Sequence, residues 1–116
     1  MRRLLLAFYN SMRALRYLAQ NEKAVQQEIG LFIVSIPVAF FVASSLPGAF
    51  LLCGSILFLI MVEVLNTGIE ATCDAVSREF DLDIQLAKDC GSLAVFLSVI
   101  LVGGLWIYVF VDRFIL

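Results

Sequence analysis

The chain has 116 residues, of which 62% are hydrophobic and 16% charged, and its mean hydropathy is +1.00. A soluble domain of this size cannot enclose so much apolar surface, so a large part of the chain must face lipid. The net charge of −2 leaves no basic surface for nucleic acid. The absence of histidine excludes imidazole catalysis and the common zinc sites.

The first part of the chain, about residues 1–26, is predicted to form an amphipathic helix on the membrane surface. At about 100° per residue, its apolar side chains fall on one arc of about 120° and its polar side chains on the opposite side. Such a helix lies in the headgroup plane, either as a plain anchor or with a direct role in ligand binding. The apolar arc contains Leu4, Phe8, Met12, Leu15 and Leu18, and the polar side contains Arg3, Asn10, Arg13, Arg16 and Gln20.

Three apolar stretches follow the surface helix. Residues 29–46 form a run of 18 residues without charge, which as a helix is about 27 Å long, close to the thickness of a bilayer core. Pro47-Gly48 then predicts a turn. A second helix is predicted over 49–78, including a polar extension beyond the membrane, and a third over 84–111. The sequence therefore predicts one all-α membrane domain over residues 1–116, with a surface helix and three transmembrane helices.

The distribution of basic residues predicts the orientation of these helices. Five lysines and arginines precede the first span, two more flank the second connection, and the Pro-Gly turn has none. The positive-inside rule places the N-terminus and the 79–88 loop in the cytoplasm and the C-terminus outside. The basic residues concerned are Arg2, Arg3, Arg13, Arg16 and Lys23, followed by Arg78 and Lys88.

The residues that indicate chemistry lie on the second predicted transmembrane helix. Glu63, Asn66, Glu70 and Asp74 are spaced i, i+3, i+7 and i+11, which puts them within about 80° of one another on a helix. Carboxylates lined up in this way repel one another, and burying one beside hydrocarbon is costly. A magnesium ion relieves both costs and prefers such oxygen ligands. The alternative is a solvated helix face, which suits Asp74 better than Glu63, because Glu63 directly follows an apolar run.

Further charged and polar residues are expected at the same membrane face. A divalent metal, cations for the phosphates and a carboxylate that orients a hydroxyl are what phosphoryl transfer requires. Lys88 suits a phosphate as a point charge, or it serves only as a positive-inside anchor. A non-enzymatic ion pathway or scaffold subunit is the remote alternative; it predicts acids spread through the bilayer, whereas these cluster at one face. The flanking residues are Glu22, Glu28, Glu79, Asp81, Asp83, Lys88, Asp89 and Ser92.

The pattern Glu63-Val64-Leu65-Asn66-Thr67-Gly68-Ile69-Glu70-Ala71, followed by Asp74 and Ala87-Lys88-Asp89, resembles a long family signature, E-x-x-N-[ST]-A-I-E…D…A-K-D. This is the signature of the bacterial integral-membrane diacylglycerol kinases, a family that includes the undecaprenol kinases. The resemblance extends from about Ser11 to the C-terminus. Asn21-Glu22 and Gln27-Glu28 resemble the diacylglycerol kinase branch more than the undecaprenol branch. The chain departs from the family at Gly68, where alanine is usual, and at Phe80-Asp81, where the family has Tyr-His.

The resemblance implies a role for each candidate residue. Glu63 is expected to be the base that accepts the proton of the lipid hydroxyl. Glu22 and Glu70 are expected to hold the magnesium of Mg-ATP, and Asn66 and Asp74 to support them. The nucleotide is expected to be bound by Arg3, Glu22, Glu70, Glu79, Lys88 and Asp89, and the lipid by Arg16, Glu28, Glu63 and Ser92.

The same resemblance implies the reaction and the assembly. The expected activity is ATP- and Mg²⁺-dependent phosphorylation of diacylglycerol to phosphatidic acid at the cytoplasmic surface of the bacterial inner membrane. Undecaprenol kinase activity is the alternative, because both lipids present a similar hydroxyl to the carboxylate. The family also implies a homotrimer with active sites shared between neighbouring subunits, and no nucleic-acid partner is expected.

Overall fold

The computed structural model describes residues 1–116, and all its regular structure is helical. The elements are α1 (Arg2–Asn21), α2 (Lys23–Val42), α3 (Leu46–Val76) and α4 (Leu82–Phe114). Helices α2, α3 and α4 are long and apolar enough to cross a membrane. The structure thus confirms the predicted fold class, an all-α membrane protein with three candidate spans behind an N-terminal helix.

The chain breaks its helix at Glu22, inside the predicted surface helix of residues 1–26. Glu22 has an extended backbone, with φ −109° and ψ 111°, so α1 ends at Asn21 and residues 23–26 belong to α2. The side-chain amides of Asn21 and Gln26 donate to backbone carbonyls near the end of α1, at 2.8 and 2.9 Å. The Gln26 bond satisfies the Ala19 carbonyl, one of the carbonyls in the last turn of α1 that the broken helix leaves without an amide partner.

Capping side chains set the starts of the two long helices. Ser45 accepts a hydrogen bond from the Gly48 amide at 3.2 Å, and Pro47 occupies the first turn of α3. The first transmembrane helix therefore ends at Val42, before residue 46, and α3 begins three residues before the predicted residue 49. Asp81 caps α4 in the same way, accepting from two backbone amides of its first turn at 2.8 and 3.2 Å.

Helix α3 lies between α2 and α4 and packs against both, whereas α1 packs mainly against α2. Two small apolar clusters join the three long helices. Trp106 packs against both clusters, and its indole nitrogen donates to the Ser55 hydroxyl at 3.0 Å, linking α4 to α3. The first cluster contains Ala39, Val42, Ala49 and Leu52, and the second contains Ile56, Leu59 and Val102.

Most of the apolar surface faces outward. Only 14 of the 116 residues are buried, and large side chains such as Phe41, Phe96 and Leu101 are 61–72% exposed. In water this surface would be very unfavourable, at about 25 cal/mol for each Å² of apolar area. Its position on the three long helices is what lipid contact requires.

Helices α3 and α4 are both longer than a bilayer core is thick, which leaves their polar ends room beyond the hydrocarbon. The two helices have 31 and 33 residues, and at about 1.5 Å per residue they are about 46 and 50 Å long, against a hydrocarbon core of about 30 Å. The short connection 77–81 brings the polar end of α3 beside the start of α4. The extensions of both helices therefore meet at one end of the bundle.

Candidate active site

The predicted acidic stripe lies on one uninterrupted helix. Glu63, Asn66, Glu70 and Asp74 all belong to α3, which remains helical to Val76. Glu63 is half-buried, Asn66 is buried and Glu70 is exposed, so the stripe passes from the packed bundle toward solvent. The Asn66 side-chain nitrogen lies 3.5 Å from a carboxylate oxygen of Glu70, a long hydrogen bond one helical turn apart. The spacing read from the sequence is therefore realised in the structure.

A cavity of about 430 Å³ lies beside the loop between α3 and α4, and a second one of about 370 Å³ lies between α3 and the α1–α2 junction. We call them the loop cavity and the junction cavity. The polar residues of the junction cavity include both predicted metal ligands, Glu22 and Glu70. The bend at Glu22 brings the first of these carboxylates toward α3. The polar lining of the junction cavity consists of Tyr17, Glu22, Thr67, Glu70, Asp74 and Arg78.

The loop cavity gathers the residues predicted to engage the nucleotide from the α4 side. Lys88 and Asp89 reach it from the first turns of α4, and Glu79 reaches it from the connection between the helices. Arg78 lines both cavities and so lies between the two groups of predicted ligands. The lining of the loop cavity comprises Arg78, Glu79, Phe80, Asp81, Ile84, Gln85, Lys88 and Asp89.

An ion pair connects the two helices at this end. The Lys88 ammonium lies 2.9 Å from an Asp74 carboxylate oxygen, and both side chains are about two-fifths exposed, at 41% and 38%. Both lie outside the charge-free stretches of their helices. The hydrogen bond and charge of Lys88 hold the pKa of the Asp74 carboxyl below its ordinary value, and the same contact raises the pKa of the Lys88 ammonium. Both groups are therefore ionised at neutral pH.

Nearer the apolar part of the bundle, Glu28 of α2 and Glu63 of α3 lie within electrostatic range of each other, and Glu63 is also within range of Glu22 and Glu70. One carboxylate oxygen of Glu28 is buried and has no hydrogen-bond partner. A buried acceptor without a donor is unfavourable, so this oxygen suits a ligand that brings a hydroxyl group.

Three predicted residues stand apart from these groups within a single chain. Arg3 and Arg16 are exposed on α1 and form no ion pair. Ser92 is exposed on α4 and lines neither cavity. The single chain thus brings together the acids and Lys88, but it does not bring these three side chains to them.

Several cavity-lining residues were not predicted as ligands, and Arg78 and Tyr17 are two of them. From the sequence, Arg78 contributes only to the charge bias, although an arginine beside so many acids is itself a signal for phosphate. Tyr17 had no such signal, because its place in the junction cavity depends on the bend at Glu22.

The acidic side chains of the site can be compared with the ligands that magnesium takes in proteins. No group of three or more acidic or cysteine side chains converges closely enough to hold a metal by protein ligands alone. Magnesium is usually held by one or two carboxylates together with substrate phosphates. Glu22 and Glu70, which line one cavity with Arg78 beside them, fit that arrangement.

Three helices long and apolar enough to span a membrane, with carboxylates and cations gathered at one end of the bundle, define an integral membrane protein with a polar, carboxylate-based site. The sequence model of the prokaryotic diacylglycerol kinase family matches residues 9–110. The chain therefore belongs to this family, as the signature on α3 and α4 had predicted.

Curated relatives agree with this assignment. The diacylglycerol kinase of Haemophilus influenzae is 31% identical over 96 residues, covering 83% of this chain and 81% of that protein. The diacylglycerol kinase of Pseudomonas aeruginosa is 38% identical over 87 residues, covering 75% of this chain and 71% of the relative. The diacylglycerol kinase of Escherichia coli K12 is 31% identical over 96 residues, covering 83% of this chain and 79% of that protein.

Proposed function

We propose that this protein transfers the γ-phosphoryl group of ATP to diacylglycerol, forming phosphatidic acid, in a reaction that requires Mg²⁺. The observation that carries the proposal is the acidic stripe of α3, which borders a cavity containing Glu22, Glu70 and Arg78 and forms an ion pair with Lys88. The names of the curated relatives support the choice of diacylglycerol as acceptor.

Glu22 and Glu70 are proposed to hold the magnesium ion that accompanies ATP. When bound, this ion neutralises the charge of the β- and γ-phosphates. Glu70 keeps its orientation through Asn66, whose side-chain nitrogen lies 3.5 Å away. Asp74 supports the same group by pairing with Lys88 at 2.9 Å, which fixes the lysine beside the stripe.

The loop cavity is proposed to bind the rest of the nucleotide. Lys88 supplies a point charge to the phosphates, and Arg78, which lines both cavities, offers them the donors of its guanidinium group. Asp89 and Glu79 line the same cavity and offer acceptors for the donor groups of the nucleotide. Arg3, exposed on α1, is assigned to a phosphate of ATP.

Glu63 is proposed to be the general base. It accepts the proton of the diacylglycerol hydroxyl as the hydroxyl oxygen bonds to the γ-phosphorus, and the bond from that phosphorus to the β–γ bridging oxygen breaks to release ADP. Glu28, which has a buried carboxylate oxygen without a hydrogen-bond partner, is assigned to the border of the lipid site. Arg16 and Ser92 are assigned to the lipid from the headgroup region.

The orientation and the assembly are part of the proposal. The basic residues of α1 and the 79–88 loop lie on the cytoplasmic side of the bacterial inner membrane, and the C-terminus lies outside. A homotrimer with shared active sites is proposed because Arg3, Arg16 and Ser92 do not reach the acids of their own chain. A neighbouring subunit is then the source of these contacts.

The reaction is tested with purified protein in mixed detergent micelles containing diacylglycerol, with phosphatidic acid measured directly. We expect product only with both ATP and Mg²⁺, and none after chelation of the metal. Glu70→Gln should raise the Mg²⁺ concentration needed for half-maximal rate by about 10-fold or more, whereas Asp83→Asn, an exposed acid on the same side, should not. Product formation that is indifferent to Mg²⁺ would contradict the proposal.

The acceptor is tested in the same micelles with undecaprenol in place of diacylglycerol. The proposal expects faster turnover of diacylglycerol at equal mole fraction. Faster turnover of undecaprenol would retain the chemistry and overturn the substrate. ADP release without either lipid product would contradict both.

A further inference from the structure

Gly91 on α4 differs from the other glycines of the long helices in what surrounds it. A Cβ atom at Gly91 would overlap the side-chain oxygen of Asn66 and lie 3.2 Å from the Asn66 Cγ atom, which is tighter than ordinary contact. At Gly68, on the stripe helix, and at Gly103, further along α4, a Cβ would meet nothing within 4 Å. The missing side chain therefore makes room for one particular group, the Asn66 amide.

That amide occupies a confined position. Asn66 is 8% exposed, and its side-chain oxygen, pressed against the backbone of Gly91, has no hydrogen-bond partner. Its nitrogen points the other way, toward the Glu70 carboxylate at 3.5 Å. A buried amide oxygen without a donor is unfavourable, so packing against Gly91, rather than a hydrogen bond, accounts for this orientation.

We infer that Gly91 is a positioning residue for the metal-nucleotide site: by leaving space on α4, it lets Asn66 lie against that helix and donate to Glu70. The inference rests on the proposed function, because Glu70 is assigned there to the magnesium of ATP. Groups that orient a metal ligand through a hydrogen bond affect metal affinity by about 10- to 100-fold. An alanine at position 91 displaces the Asn66 amide and acts on Glu70 only through it.

The predicted effect differs from that of a general packing defect. The atom that an added methyl group would meet is the end of a side chain rather than backbone, so Asn66 can rotate and α3 and α4 can stay together. Alanine also favours a helix over glycine. We therefore expect Gly91→Ala to fold with an unfolding temperature no lower than that of the wild-type protein, while Mg-ATP binding weakens.

The test measures the dissociation constant of Mg-ATP by calorimetry, and the KM values for Mg-ATP and diacylglycerol, on four variants in the same detergent. These are Gly91→Ala, Asn66→Ala, the double variant, and Gly103→Ala as the matched control. Gly91→Ala should weaken Mg-ATP binding by about 10-fold or more and leave the KM for diacylglycerol unchanged. The double variant should bind no more weakly than Asn66→Ala alone, because the displaced group is then absent. Gly103→Ala should match the wild-type protein.

The inference would be overturned if Gly91→Ala bound Mg-ATP as tightly as the wild-type protein does. It would also be overturned if the double variant lost as much Mg-ATP affinity as the two single variants lose together. If Gly91→Ala failed to fold while the double variant folded, Gly91 would serve the packing of α4 against Asn66 rather than the metal-nucleotide site, and the inference would be overturned. Failure of both to fold would contradict it. A wild-type protein that binds Mg-ATP but forms no phosphatidic acid would contradict the proposed function alone.

Discussion

Replacing Glu63 with glutamine should separate catalysis from folding. Glutamine keeps the size of the side chain and removes the group that accepts the hydroxyl proton. General-base catalysis contributes about 100- to 10,000-fold to a rate, which corresponds to about 2.7–5.4 kcal/mol in the activation free energy. We expect kcat for phosphatidic acid formation to fall within this range.

The structure limits the effect of Glu63→Gln to the chemical step. Glu63 does not line the cavity that contains Glu22 and Glu70, so the KM for Mg-ATP should stay within about 2-fold of the wild-type value. The half-buried carboxylate also lies within electrostatic range of three other acids, Glu28, Glu70 and Glu22. Removing its charge relieves repulsion, so the unfolding temperature should not decrease.

The assay follows phosphatidic acid at saturating Mg-ATP, with thermal unfolding recorded in the same detergent. Asp112→Asn, near the opposite end of α4, serves as the control and should leave kcat unchanged. A Glu63→Gln protein with at least half the wild-type kcat would refute the assignment of the base. A fall in kcat accompanied by an equal fall for Asp112→Asn would show that loss of charge, rather than loss of the base, is responsible.

The remaining predictions concern binding and stability. Lys88→Met should raise the KM for Mg-ATP by about 10- to 100-fold, because it removes a charge-assisted contact with phosphate. The control variant Lys23→Met should leave this KM unchanged. If steady-state kinetics gave Lys88→Met the same KM for Mg-ATP as the wild-type protein, the role of Lys88 would be contradicted. Trp106→Phe should lower the free energy of unfolding by at least about 1 kcal/mol, because it removes both the hydrogen bond to Ser55 and part of the indole packing against the two clusters. Measured by detergent denaturation, the loss should be about 1 kcal/mol smaller in a Ser55→Ala background, and an unchanged loss would contradict a contribution from the hydrogen bond. Gly68→Ala should raise the free energy of unfolding by up to about 1 kcal/mol, because alanine favours a helix and nothing lies within 4 Å of the added methyl group. A free energy of unfolding below the wild-type value would mean that a neighbouring subunit contacts this face of α3.

The acidic stripe could be predicted from sequence because it depends on one local property. Residues Glu63, Asn66 and Glu70 share a helix face whenever the segment is helical, and the apolar run before Glu63 fixes their position relative to the membrane. The three spans followed from the lengths of their apolar runs in the same way. Fold class and the main acids therefore needed no knowledge of packing between helices.

The break at Glu22 could not be predicted in this way. No proline or glycine marks it, and the chain appeared suited to one helix over residues 1–26. The break is stabilised by side-chain amides of Asn21 and Gln26, and Gln26 reaches back seven residues to Ala19. The Asn21 bond lies within α1, whereas the Gln26 bond to Ala19 forms only once α2 lies against the end of α1.

The placement of Arg78, Tyr17 and Gly91 also depends on contacts between elements. Arg78 lies between two cavities because α3 ends at Val76 and the chain turns there toward α4. Gly91 acquires its role from a side chain 25 positions earlier in the sequence, which no local periodicity can reveal. The residues that only tertiary packing could identify are thus those that link one helix to another.

The α3 stripe and Glu22 are proposed to hold the divalent ion of the bound nucleotide. This role is tested most directly by electron paramagnetic resonance of Mn²⁺ titrated with ATP into the purified protein, comparing wild type with the double variant Glu22→Gln and Glu70→Gln. The matched control is the double variant Asp83→Asn and Asp112→Asn. It also removes two negative charges, but neither residue lines the junction cavity. We predict that the Mn-ATP signal of the bound state is lost or weakened about 10-fold or more in the first variant and retained in the control. Equal Mn-ATP binding by wild type and the Glu22–Glu70 double variant would contradict the account.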